Sequence, residues 1–441
     1  MQFIAYSNLS KMKKTIFYLT LFLCAQIAFG QNHLMLQDTI KNYFAEIKMA
    51  TKNENKIWDR DLFGPILLVN SNTRQLYSNY PDSAGILKKD GNIYYGNLPE
   101  HINIANTSIN WSGRRWAMIM LPLPAEKFNR INLMAHELFH KAQPSLGFQL
   151  FNTDNNHLDQ KDGRVYLRLE LEALKKAVNA TGQAEMKLYL TDALTFRKYR
   201  YSIYPGADTT ENALELNEGL AEYTGFIISR RSKEESILHF NQSLTEFLSN
   251  PTFVRSFAYQ TIPVYGYLLH YTKKYWNKNI TVQTNLADYF TKAFNVTLKS
   301  DLKKSADNSV LKYNGQKIID EETAREAKIK KLVAQYKNKF IEQPHFEIQF
   351  EQMNVSFDPR NIMPVEDKGT VYPNIRVSDK WGILTVTNGA LMSPNWDKIS
   401  ISVPTKNDGK NFIGDGWTLI INDGYTLIKE ESNGNYKMVK K

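Results

Sequence analysis

Apolar residues recur along the chain in different rhythms, and the changes of rhythm divide the sequence. Over residues 31–60, Ile40, Tyr43, Phe44 and Ile47 fall at the i, i+3, i+4, i+7 spacing of one helical face. Residues 62–123 instead carry short β-prone runs, Ile66-Leu67-Leu68-Val69, Asn92-Ile93-Tyr94-Tyr95 and Trp116 to Leu121, bounded by Gly, Asn, Asp or Pro. From 124 to 340 the helical period dominates. Pro124 opens a helix that ends before Pro144, and further helices are expected near 164–179, 182–203, 211–230, 232–249, 253–276, 282–294 and 319–340. The polar stretch 304–318 reads as a mobile loop. Over 345–441 apolar and polar positions alternate, as in Phe346 to Phe350 and Ile399 to Val403, with Asn388-Gly389, Asp423-Gly424 and Asn433-Gly434 as turns. The expected fold is α+β. A strand-rich N-terminal part (62–123) and a mainly helical part (124–340) form one region over 31–340, followed by an all-β domain, a sandwich or small barrel.

Composition narrows the chemistry. At 441 residues, with 42% hydrophobic and 12% aromatic positions, the chain has ample material for a core and none of the signature of disorder. A single cysteine, Cys24, excludes an intramolecular disulfide, a Cys-rich zinc module and an iron–sulfur cluster. It lies in residues 1–30, where Lys13-Lys14, the apolar run Ile16 to Ala25 and the small-residue end Ala28-Phe29-Gly30 have the order of a cleaved secretory signal peptide. Ile16 to Phe29 is shorter than the roughly 20 residues a membrane-spanning helix needs. The mature chain is therefore expected in the periplasm or outside the cell, with no thiol and no membrane span. Those thirty residues hold three lysines and no acid, so the formal charge falls from +10 for the whole chain to +7 for the remainder. Its lysines are scattered and accompany no nucleic-acid-binding motif, which favours a solubilising surface. Any metal site must be built from Asp, Glu and the eight histidines.

Two of those histidines stand four apart in His136-Glu137-Leu138-Phe139-His140, within the helix expected before Pro144. On a helix both imidazoles share a face and reach one ion, and Glu137 lies beside it. The neighbours Ile131, Met134, Leu138 and Phe139 are apolar, so the segment is expected to be buried, where uncompensated histidines would be costly. Zinc suits nitrogen and carboxylate ligands without thiolate. Farther on, Asn217-Glu218-Gly219-Leu220-Ala221-Glu222 places two acids four apart on another expected helix. A cation facing them removes their mutual repulsion.

Taken together, His136-Glu137-x-x-His140 and Asn217-Glu218-Gly219-x-Ala221 resemble the gluzincin zinc peptidases, the group of thermolysin and the zinc aminopeptidases. The resemblance spans residues 113–225. It implies Zn2+ held by His136, His140 and Glu218, with Glu222 behind a ligand histidine. It implies hydrolysis of a peptide or protein substrate, with Glu137 as general base and proton carrier. The strand Trp116 to Leu121 would be the edge strand that pairs with substrate. Val264-Tyr265-Gly266 resembles the segment that supplies the oxyanion donor, which makes Tyr265 a catalytic candidate, with Tyr259 and His157 as competitors. Three departures stand out. The Gly-x-Met-Glu-Asn segment by which aminopeptidases anchor a free amine is absent, Lys141 follows His140, and the gap to Glu218 is long. A structural pairing of Arg168 with Glu172 is also expected. The other reading of the same residues is a non-catalytic, zinc-containing cell-envelope binding protein that holds its ligand on the C-terminal β domain.

Overall fold

A computed structural model describes residues 37–148, 153, 155–358 and 362–441. The expected signal peptide lies outside these residues. The first element is helix α1 (37–53), shorter than the stretch marked by the sequence, with Ile40, Phe44 and Ile47 buried and Tyr43 half-buried. Strands β1 (Ile66–Asn70), β2 (Gln75–Ser78), β3 (Lys88–Asp90), β4 (Ile93–Asn97), β5 (Thr107–Trp111) and β6 (Arg114–Leu121) form one sheet in the order β3-β4-β2-β1-β6-β5. The unbroken apolar runs in β1 and β6 arise because the sheet is covered on both faces. Ile66, Leu68, Ala117 and Ile119 pack into the helical core, while Leu67, Val69, Trp116 and Met118 build a second cluster on the other side.

The edge-strand expectation is corrected here. β6 lies inside the sheet, parallel to β1 and antiparallel to β5, so the edge is Thr107–Trp111.

The middle of the chain is helical: α2 (Lys127–Ala142), α3 (Lys161–Val178), α4 (Gln183–Ile203), α5 (Ala207–Leu214), α6 (Leu220–Ser229), α7 (Lys233–Phe247), α8 (Ala258–His270), α9 (Leu286–Ala293), α10 (Leu302–Val310) and α11 (Gly315–Lys337). Between α5 and α6 the chain makes a single π turn, Glu215–Gly219, within the stretch expected as one helix over 211–230. The polar segment 304–318 is not a loop, since α10 and the start of α11 occupy it. α2 begins at Lys127 rather than Pro124, because the Glu126 carboxylate accepts hydrogen bonds from the Phe128 and Asn129 amides. Among the described residues, no helix is long and apolar enough to cross a membrane.

Among the described residues the C-terminal region contains strands and one short helical turn: β7 (His345–Gln349), β8 (Asn354–Phe357), β9 (Met363–Pro364), β10 (Thr370–Tyr372), β11 (Ile375–Asp379), β12 (Gly382–Val386), β13 (Ala390–Met392), β14 (Lys398–Ser402), β15 (Pro404–Asn407), β16 (Asn411–Gly414), β17 (Trp417–Ile421), β18 (Tyr425–Lys429) and β19 (Tyr436–Lys440). They form a seven-stranded sheet, β18-β19-β7-β14-β13-β10-β9, and a six-stranded sheet, β15-β16-β17-β12-β11-β8. Inward residues of the two, such as Phe346 and Ile399 against Val377 and Leu419, share one core. The chain is thus α+β, with strands, then helices, then an all-β region.

Candidate metal centre

The site forms where α2 crosses α6 and the π turn. Two glycines allow the close approach. A Cβ on Gly225 of α6 would lie 2.4 Å from the Asn132 carbonyl oxygen of α2, and one on Gly219 would meet the Ile262 side chain of α8 at 2.6 Å. Both contacts are too short for any side chain. The π turn places Glu218 opposite α2, and Glu222 follows one turn later.

His136, His140 and Glu218 offer three ligand atoms that lie within 4.8 Å of one another. The two Nε2 atoms are 2.9 Å apart, and Glu218 Oε2 is 3.2 Å from that of His140 and 3.5 Å from that of His136. A tetrahedral zinc ion with bonds near 2.05 Å spaces its ligands by about 3.3 Å, so the set fits. The ring protons argue the same way. Gln143 Nε2 donates to the Asn217 carbonyl at 3.0 Å, which turns its Oε1 toward His140 Nδ1 at 2.7 Å and makes that nitrogen the donor. His136 Nδ1 donates to Glu222 Oε2 at 2.8 Å, and Glu222 Oε1 accepts from Asn132 Nδ2 at 2.8 Å. With both Nδ1 atoms protonated, two imidazole lone pairs and one carboxylate converge on the same point, an arrangement that calls for a cation.

The surrounding charges are consistent with this. Burial would raise the Glu218 carboxyl, but His140 and His136 outweigh it and hold the group well below its usual range. Burial alone would lower His136 and His140, yet the facing glutamates raise both. Glu137 differs from its neighbours. It is 3% exposed, its Oε2 has no hydrogen-bond partner, and burial raises its affinity for a proton against the pull of the two histidines. A carboxyl with an unpartnered oxygen and a raised pKa has the properties of a proton carrier.

The tyrosine candidates separate. Tyr265 is fully buried, donates to Glu170 Oε1 at 3.0 Å and stacks on Phe290, so it lies apart from the metal ligands, in structural packing. Tyr259 is the tyrosine at the centre. Its ring stacks on His136 with centroids 5.5 Å apart, and its hydroxyl donates to Glu218 Oε2 at 2.5 Å. His157 pairs with Glu211 Oε1 at 2.7 Å instead of facing the ligands. Arg168 bonds Glu322 and Glu321 of α11, not Glu172.

A buried charge cluster, missed in the sequence, anchors the π turn. Arg197 grips Glu215 through both Nη atoms at 2.8 and 2.7 Å and reaches Glu170 at 2.6 Å. Arg200 bridges Glu170 at 2.9 Å and Glu211 at 2.8 and 2.6 Å, and both arginines are fully buried. Glu215 stands three residues before Glu218, so this grip fixes the backbone that presents the third ligand. The supports of the two histidines have helical spacings in the sequence: Asn132 lies one turn before His136, and Gln143 three residues after His140.

A cavity of about 640 Å³ opens over the ligands, with Arg115, Gln143 and Arg255 on its polar side. A second, of about 900 Å³, is lined by Leu133, Phe226, Phe240 and Phe247. Both include His136, Glu137 and Tyr259, so the glutamate stands where the two meet. Comparison with protein-family models, with curated proteins and with solved structures finds no match for the chain.

Proposed function

We propose that the chain is a zinc-dependent hydrolase of peptide bonds, working as the gluzincin resemblance implies. The observation that carries this reading is the convergence of His136, His140 and Glu218 beside the unpartnered Glu137 oxygen, where two cavities meet. His136, His140 and Glu218 would hold the ion, which when bound supplies a Lewis acid that acidifies water and polarises a carbonyl. Glu137 takes the proton of the attacking water on Oε2 and delivers it to the leaving nitrogen. Burial favours the protonated state that this transfer passes through. Glu222 and Gln143 keep the two imidazoles in the tautomer that leaves Nε2 free, and Asn132 steadies Glu222. Tyr259, and not Tyr265, takes the role of oxyanion donor. Its hydroxyl, now on Glu218, is the nearest phenolic donor for a developing oxyanion. A site that only bound zinc would have no use for a buried carboxyl lacking a partner, which favours hydrolysis over the binding-only alternative.

Zinc content and peptide cleavage measured on the purified protein and on Glu137→Gln test the proposal. Zinc in both proteins, with cleavage reduced at least about a hundredfold in the variant, is the expected result. Full cleavage by Glu137→Gln would remove the assigned mechanism.

A further inference from the structure

We infer that the cleft takes an extended polypeptide between two sheet edges, and that the second edge is β8 of the C-terminal region. The inference rests on the proposed function only for the reaction carried out on that peptide.

β5 ends the N-terminal sheet and β8 ends the six-stranded C-terminal sheet; among the described residues neither has a strand on its outer side. Thr107 and Ser108 of β5 and Val355, Ser356 and Phe357 of β8 line the same cavity as His136 and Glu137. The two edges are tied to one another just before β5 begins. Asn103 Nδ2 donates to the Asn354 carbonyl at 3.1 Å, Arg376 of β11 bonds Asn103 and the Glu100 carbonyl, and Ser378 Oγ donates to the His101 carbonyl at 3.2 Å. β8 is thus held as part of the cleft, not as an appendage on a tether.

Beyond the Asn354 carbonyl, which Asn103 occupies, each edge presents backbone N–H and C=O groups at the repeat of a strand, and the ligand that matches this repeat is another extended backbone. Two such edges on one cavity ask for a chain with bonding groups on both of its sides. The two cavities share His136, Glu137 and Tyr259 but differ in the rest of their lining, one more polar and one more apolar, which leaves room for a chain longer than the reacting bond. The substrate class is therefore unfolded or loosely structured polypeptide cut internally, and the C-terminal region selects for backbone conformation.

Hydrogen exchange read by mass spectrometry on Glu137→Gln, with and without the oxidised insulin B chain as an unstructured probe, tests this. At about ten times the probe's Kd, exchange in both Thr107–Trp111 and Asn354–Phe357 is expected to slow about tenfold, while β15, the far edge of the same C-terminal sheet, is unchanged. Protection of β5 without β8, or of neither strand at the highest soluble probe concentration, overturns the inference. The two readings fail separately. Protection of both strands beside a parent protein that cuts no peptide would leave the inference standing and remove the proposed function. Cleavage by the parent with β5 alone protected would do the reverse.

Discussion

Replacing Gly225 by alanine probes the contact that brings α6 onto α2. The new Cβ would sit 2.4 Å from the Asn132 carbonyl oxygen and 3.1 Å from its Nδ2, and heavy-atom contacts of a Cβ below 3.0 Å are not sustained. The obstacle is backbone, so the helices must move apart until this contact lengthens from 2.4 Å to at least 3.0 Å. Overpacking of this kind costs about 1–3 kcal/mol, and the upper end applies where no side chain can swing aside. The same movement stretches the 2.8 Å bonds Asn132–Glu222 and Glu222–His136, and weakening one bond to a charged group costs about 1.5–3 kcal/mol. Alanine returns roughly 1 kcal/mol through its helix propensity. The net loss is about 4 kcal/mol, and zinc affinity falls about 10–100-fold because His136 loses its support. Guanidinium denaturation of the metal-free protein and zinc titration against a chelator read the two effects. Gly182→Ala, at the N-cap of α4 with nothing within 4 Å, is the control: it should leave zinc affinity unchanged and cost at most about 1 kcal/mol. Gly225→Ala with the stability and zinc affinity of the parent would refute the close-packing argument.

Three further outcomes are expected. Gln143→Leu frees His140 Nδ1 from its acceptor and weakens zinc binding about 10–100-fold in the same chelator titration. Tyr259→Phe lowers kcat about a hundredfold with zinc retained, whereas Tyr265→Phe leaves kcat unchanged and costs about 1–3 kcal/mol of stability through the lost bond to Glu170; steady-state kinetics beside denaturation separate them. His239 is pushed down to about 4 by burial and by Arg231, so its neutral form is the one the fold favours. Its contribution, at most roughly 3 kcal/mol, is present above pH 6.5 and lost as the pH falls toward 4. Denaturation at pH 7 and pH 4 should show that loss in the parent and a smaller one in His239→Gln.

What the sequence revealed followed from periodicity. The spacing of His136 and His140 placed them on one face, and the alternation around Phe346 and Ile399 marked strands that do lie side by side, in β7 and β14. A period of two cannot say which strands are neighbours, and the edge position that the resemblance implies for β6 belongs to β5. Tyr259 and Tyr265 are six residues apart on α8, about 240° around the helix, and cannot face the same site. The choice between them needed the packing of α8, which no local pattern carries. α10 was missed because the described residues it buries are Ala306 and Ser309, too small and too polar to register as an apolar stripe. The arginine–glutamate cluster escaped for the opposite reason. Its charges read as solvent-facing on any one helix, and only the assembled helices bury them.

That cluster has a consequence for how the molecule opens. Glu170 belongs to α3, Arg197 and Arg200 to α4, Glu211 to α5 and Glu215 to the π turn, and the five side chains satisfy one another with almost no water access. Peeling away α4 leaves three carboxylates without a cation in an apolar interior, at a cost of about 3–5 kcal/mol or more, and peeling away α3, α5 or the π turn leaves buried guanidinium N–H groups without an acceptor. The helices therefore have no cheap partial disassembly, and they come apart together or stay. Local breathing near the third ligand is suppressed to the level of unfolding the whole helical region, and the slowest-exchanging amides should include those of α4.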